Sequence, residues 1–211
     1  MKKGKLPELQ KLLYARVGSA RCGLLAEGSD RDIFILTPSM MEQLYDPEKD
    51  EAYFIWSVPA VKARWGHPLL LEDLTGECNG ETQICDFLQE HRHGLYYAAP
   101  DQTAVFGLQH IAYGELSGFD STIKLSLRIA MELSHMARGD SDPCTFSAEE
   151  KAILIRARTG GVPREERVDI YRRTISPENI DRLMKMPDHP AIKNELFQLI
   201  EDIISKEEIP C

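Results

Sequence analysis

No apolar run in this 211-residue chain approaches the ~20 residues a membrane-crossing helix needs, so no spanning segment is expected. The opening Met1-Lys2-Lys3-Gly4-Lys5-Leu6-Pro7 is basic but lacks the apolar stretch of a signal peptide. A cytoplasmic location is the expectation. Basic residues are also scarce, with 25 Lys and Arg against 34 Asp and Glu, for a formal net charge of −9. Proteins that grip long duplex nucleic acid draw much of their affinity from neutralising phosphates with basic side chains, so that partner class is not expected. A nucleotide or a single nucleic-acid end stays compatible, because bound metal ions can supply the positive charge. The five cysteines, Cys22, Cys78, Cys85, Cys144 and Cys211, form no C-x-x-C pair. His91 and His93 have no cysteine pair at zinc-finger spacing, so the thiols read as buried or idle. No internal repeat or low-complexity tract is present.

What remains is an ordinary globular composition, 43% hydrophobic and 28% charged. The length suits one domain with an appendage, or two small domains sharing a core. Residues 7–13 predict a short opening helix, with Pro7 at its first position. Leu13 to Val17 predicts a strand ending at Gly18. Four apolar residues in a row, Ile33-Phe34-Ile35-Leu36, predict a strand buried on both faces. Residues 39–45 predict a short helix, and Asp50 to Trp56 another strand. A turn-rich break lies near residues 75–82.

Beyond it the pattern is helical. Thr82 to Arg92 is one candidate, and Asp120 is a candidate cap for a helix running to Gly139. Ser147-Ala148-Glu149-Glu150 is a capping box that opens a helix stopping at Gly160-Gly161. Helices are predicted over Pro163 to Arg173, Ser176 to Lys185 and Pro190 to Ser205. The last has Ile192, Leu196, Leu199, Ile200 and Ile203 along one stripe. Strands early and helices late predict an α+β fold.

One stretch carries chemistry. Gly18-Ser19-Ala20-Arg21-Cys22-Gly23-Leu24-Leu25-Ala26-Glu27-Gly28-Ser29-Asp30-Arg31-Asp32 reduces to G-S-x-x-x-G-x5-S-D-x-D between apolar strands. Strand side chains alternate faces, so Asp30 and Asp32 project to the same side, ~7 Å apart. Two carboxylates so placed can share a pair of Mg²⁺ ions ~3.5–4 Å apart, one activating a hydroxyl and the other holding a triphosphate. Gly18 permits close approach of the backbone to phosphates, and Ser19 offers them a hydroxyl and an N–H. The plainer reading is a polar loop leading into a buried strand, with Asp and Ser chosen for turn chemistry.

This skeleton resembles the polymerase-β-like, minimal-type nucleotidyltransferase superfamily. His67-Pro68-Leu69-Leu70-Leu71-Glu72-Asp73-Leu74 is similar to the N-P-x-x-L-E-x-L segment of a bacterial and phage subgroup labelled as an RNA-repair-pathway polymerase-β family, with His67 in place of Asn. Lys124-Leu125-Ser126-Leu127-Arg128 and Arg156-Ala157-Arg158-Thr159-Gly160 resemble its K-x-x-x-R and I-R-x-G segments. The resemblance implies a small mixed β-sheet palm over residues 1–80 and a helical C-terminal region over 81–211 packing on it. It implies Mg²⁺ or Mn²⁺ and transfer of a nucleoside monophosphate from an NTP, ATP foremost, with the acceptor open among an RNA end, a small molecule and a protein. It also implies a third carboxylate on a neighbouring strand, for which Asp50 is the candidate beside Asp30 and Asp32, with Glu51, Glu72 and Asp73 as alternatives. Ser29 joins Gly18 and Ser19 as a candidate phosphate contact.

Lys124, Arg128 and Glu132 recur four residues apart. They form either a solvated stripe of weak ion pairs or, in the resemblance, a face that turns Lys124 and Arg128 to the triphosphate or acceptor. Two other functions stand beside the enzyme: a catalytically degenerate nucleotide-binding regulator, and a toxin–antitoxin transferase acting on a partner protein.

Overall fold

The computed structural model describes residues 1–9, 11–19, 21–24 and 31–207. The fold is α+β, with a six-stranded mixed sheet and a long helical stretch. In chain order the elements of the first part are β1 (Lys2–Lys3), β2 (Leu13–Arg16), β3 (Arg31–Thr37), β4 (Glu42–Asp46) and β5 (Glu51–Ser57). Then come α1 (Val58–Ala63), α2 (Pro68–Leu74), β6 (Glu77–Gly80), α3 (Thr82–Glu90) and α4 (Arg92–Tyr96). The helices α5 (Pro100–Ser117), α6 (Asp120–Arg138), α7 (Ala148–Ala157), α8 (Arg164–Thr174), α9 (Pro177–Lys185) and α10 (Pro190–Glu207) follow.

The chain divides into two compact units. One comprises Met1–Trp65, Leu69–Ala98 and His189–Cys211, and the other Gly66–Pro68 and Ala99–Asp188. In the first, the strand order is β1-β4-β5-β3-β2-β6. β3 runs parallel to β5 and antiparallel to β2. Ile33, Phe34, Ile35 and Leu36 are each at most 1% exposed, which explains their unbroken apolar run: both faces of β3 are covered. Ile33 and Ile35 pack with Leu44, Tyr53 and Ile55 on one face. α10 joins this unit, packing against α3 and α4, with Leu196, Ile200 and Ile203 buried.

Two predicted helices are not helices. Residues 4–9 have no regular structure, and Leu12 donates its N–H to the Leu36 carbonyl at 2.9 Å. The sheet takes the backbone groups a helix would have used, while Leu6 and Leu9 pack on the core from outside any helix or strand. Residues 39–45 end in β4 instead. Thr37 Oγ1 bonds both the N–H and the carbonyl of Met40 and turns the chain there. Leu44 and Asp46 then bury alternately while the strand pairs with β5 on one side and β1 on the other.

The break expected near residues 75–82 holds a strand, β6, paired with β2. Asp120 is the first residue of α6 rather than its cap, a place taken by Phe119, while Gly139 ends that helix as predicted. The capping box at Ser147 and Glu150 is formed with both of its hydrogen bonds.

In the second unit α5 and α6 pack closely, and α7, α8 and α9 pack against α6. Among the described residues no helix is long and apolar enough to cross a membrane.

Candidate functional site

β2 delivers the chain to Gly18 and β3 begins beside it. Val17 donates its N–H to the Asp32 carbonyl at 3.0 Å, extending the antiparallel ladder by one rung past Arg16 and Ile33. Gly18 then turns with φ +63°. Its backbone stands so close to the Asp32 side chain that an added Cβ would lie 2.4 Å from Asp32 Oδ2. The turn continues through Ser19, whose carbonyl accepts the Leu24 N–H at 2.8 Å, and the Gly18 carbonyl accepts the Cys22 N–H at 3.4 Å. Ser29 and Asp30 lie outside the described residues.

The turn is tied to the segment that begins at His67. Cys22, 3% exposed, donates its thiol hydrogen to Glu72 Oε1 at 3.4 Å, and Glu72 is 1% exposed on α2. Cys22 is thus an anchor for the motif turn rather than an idle thiol. The signal available in sequence was an acidic residue inside the apolar run Pro68-Leu69-Leu70-Leu71-Glu72, a charge that burial makes expensive unless it is hydrogen-bonded.

β5 lies parallel to β3, with Asp32 opposite Ala52 and Arg31 opposite Glu51. Register therefore puts Glu51 on the sheet face opposite to that of Asp32, where it accepts a hydrogen bond from the Tyr53 hydroxyl. Along Asp32's face β5 carries Ala52, Phe54 and Trp56 and no acid. Asp50 precedes the strand with φ +54°. Its carbonyl accepts the Arg31 N–H at 3.0 Å, and its carboxylate accepts the Tyr45 hydroxyl at 2.7 Å.

Lys124 and Arg128 belong to the second unit, on α6. Lys124 is half-buried, and the rest of the stripe is not solvated: Arg128 is 5% and Glu132 2% exposed, with Arg128 Nε 3.6 Å from Glu132 Oε1. The Cys144 thiol also donates to Glu132 Oε1, at 3.8 Å. Burial, then the Arg128 charge, holds the His110 pKa below its usual 6.5. His135, which no sequence pattern assigned, bridges the Pro143 carbonyl at 2.7 Å and Glu150 Oε1 at 2.8 Å. Met131 and Met136 are buried in the core.

Of the predicted metal ligands, Asp32 and Asp50 lie among the described residues, and both carry carboxylates, the donor type a hard divalent cation takes. The Asp32 carboxylate itself fills the space a side chain would take at Gly18. No protein-family model matches this chain, and neither a characterised protein nor a solved structure matches it.

Proposed function

We propose that this chain is a metal-dependent nucleotidyltransferase that moves a nucleoside monophosphate from a nucleoside triphosphate, ATP foremost, to a hydroxyl acceptor, with pyrophosphate leaving. The observation that supports it is the Gly18 backbone held against the Asp32 carboxylate at matching ends of two adjacent strands. A phosphate needs bare backbone to approach, and a hard cation needs a carboxylate. One turn provides both.

In this reading Asp32 and Asp30 hold Mg²⁺ or Mn²⁺, and Asp50 is the third carboxylate, steadied by Tyr45. Bound divalent ions favour ionisation of the attacking hydroxyl and neutralise triphosphate charge. The residues of the chain position: Gly18, Ser19 and Ser29 line the phosphates. Most of the rate would come from alignment and charge neutralisation, as in other phosphoryl transfers. A cytoplasmic enzyme acting on an RNA end, a small molecule or a protein fits this chemistry.

One observation favours a second reading, a nucleotide binder without turnover. Ala52 stands beside Asp32 where a neighbouring-strand acid would be expected, and Phe54 follows it. Pyrophosphate release with each of the four ribonucleotides, Mg²⁺ or Mn²⁺, and an added lysate separates the two. Release that Asp32→Asn abolishes supports the transferase, and labelled RNA or labelled protein in the lysate names the acceptor class. Nucleotide binding without release selects the binder. Neither binding nor release overturns both.

A further inference from the structure

The cysteines of this chain are not equivalent. Cys22 and Cys144 are 3% and 2% exposed, and each donates to a carboxylate. Cys78 is half-buried on β6, opposite Ala15 of β2. Cys85 is 8% exposed in the first half of α3. The link between them is short and tightly held. Glu81 donates its N–H to the Leu12 carbonyl at 3.1 Å, and the Cys85 N–H donates to the Glu81 carbonyl at 3.0 Å. α3 thereby packs back on β6, which brings Cys85 close enough to Cys78 for the two thiols to interact. Both sulfurs are free thiols.

We propose that Cys78 and Cys85 form an oxidisable dithiol that closes to a disulfide on reaction with a peroxide. The more exposed sulfur, Cys78, attacks a peroxide oxygen as its thiolate. The O–O bond breaks, hydroxide leaves, and Cys78 becomes a sulfenic acid. The Cys85 sulfur then attacks the Cys78 sulfur and the S–S bond forms. The departing hydroxide takes the Cys85 proton and leaves as water. Two thiols and one hydrogen peroxide yield one disulfide and two waters. Cys78 is the more exposed of the two and Cys85 is buried, its thiol held above the usual range by that burial first and then by the neighbouring Cys78, so Cys78 is the first target. The bridge ties α3 to β6, the direct neighbour of β2, the strand that leads to Gly18. It stands independently of any transferase activity.

The two cysteines fall in one tryptic peptide, since no Lys or Arg lies between Trp65 and His91. The reduced full-length chain is treated with hydrogen peroxide, quenched, denatured, alkylated and digested. The expected product is that peptide lighter by two hydrogens and unalkylated, while Cys22 and Cys144 are recovered alkylated. In Cys85→Ser the Cys78 sulfenic acid should accumulate and be trapped by dimedone. In Cys78→Ser, Cys85 should stay reduced at the same dose. The wild-type chain decides even if a variant fails to fold. Recovery of both thiols alkylated, or of Cys78 over-oxidised to sulfinic acid beside a free Cys85, overturns the proposal. So does bridging at the same rate in urea-unfolded protein, since the pairing would then reflect only nearness in sequence.

Discussion

Gly18 and Asp32 stand against each other at the ends of adjacent antiparallel strands, with no space for a methyl group between them. A Cβ on Gly18 would lie 2.4 Å from Asp32 Oδ2 and 3.2 Å from Asp32 Cβ. The Val17 N–H, bonded to the Asp32 carbonyl, locks the two segments in register just before the turn. Backbone conformation at one residue and carboxylate position at the other are therefore coupled, and a change at either should be felt at both.

Gly18→Ala tests that coupling. The left-handed φ of +63° costs an alanine about 1–2 kcal/mol, and the new methyl group must push the Asp32 carboxylate aside. The urea midpoint should fall by the equivalent of that energy. Pyrophosphate release should fall on the order of a hundredfold, the usual cost of misplacing a reacting group by an ångström. An unchanged midpoint with unchanged turnover would mean that the turn relaxes freely and does not cradle phosphate.

Asp32→Asn keeps shape and removes charge. Without metal, the variant should hold its stability to within about 1 kcal/mol, as isosteric changes outside a packed core do. The rise in melting temperature on adding Mg²⁺ and nucleotide should collapse, because a ligand stabilises the fold only as far as it binds it. A destabilised variant with an intact Mg²⁺ response would make Asp32 a turn residue and remove the metal site.

In the second unit, Gly114 of α5 sits where α6 crosses. A Cβ there would meet Ser126 Oγ at 1.8 Å and the Thr122 carbonyl oxygen at 2.8 Å. Gly114→Ala should destabilise by about 1–3 kcal/mol, the range for overpacking. Adding Ser126→Ala should recover part of the loss and not all, since the Thr122 carbonyl remains. Denaturant melts of the single and double variants measure this, and full recovery would show that the backbone contact gives way.

Acid should weaken the fold in two steps. His110 is held below 6.5 by burial and by Arg128, so its neutral form is the one the fold favours. Its contribution is complete above pH 6.5 and is lost as pH falls below that value through the folded pKa. Burial pushes the Glu115 carboxyl up, but hydrogen bonds from Arg167 and Tyr171 outweigh it and leave the pKa below 4.5. That contribution is complete above pH 4.5 and is lost as pH falls further. Melting temperatures across this range should show His110→Gln flattening the upper decline and Glu115→Gln the lower. Parallel curves for wild type and both variants would contradict the assignment.

Where local chemistry decides, reading the chain works. The apolar run at Ile33–Leu36 marks a strand because only a covered strand needs both faces apolar at that length. Ser147 and Glu150 mark a helix start because the capping box satisfies donors within four residues. The stripe on α10 and the end of α6 at Gly139 are legible for the same reason, since each condition is met by neighbours in sequence.

Partners distant in sequence decided the rest. Residues 39–45 are apolar enough for either a helix or a strand, and β1 and β5 supplied the pairing that made a strand. Leu12 gave its N–H to Leu36, which removed the predicted opening helix. Sequence offered Asp50 with Glu51 as an alternative, and a parallel register with β3 turned Glu51 to the far face and set Ala52 beside Asp32. Sequence placed Arg128 and Glu132 on one helical stripe, whereas only packing could bury them both. By itself, the sequence determined the α+β class and the order of motif residues, because periodicity and turn chemistry are local. Only the tertiary structure decided which residues face Asp32, because a strand's neighbour is chosen by the whole sheet.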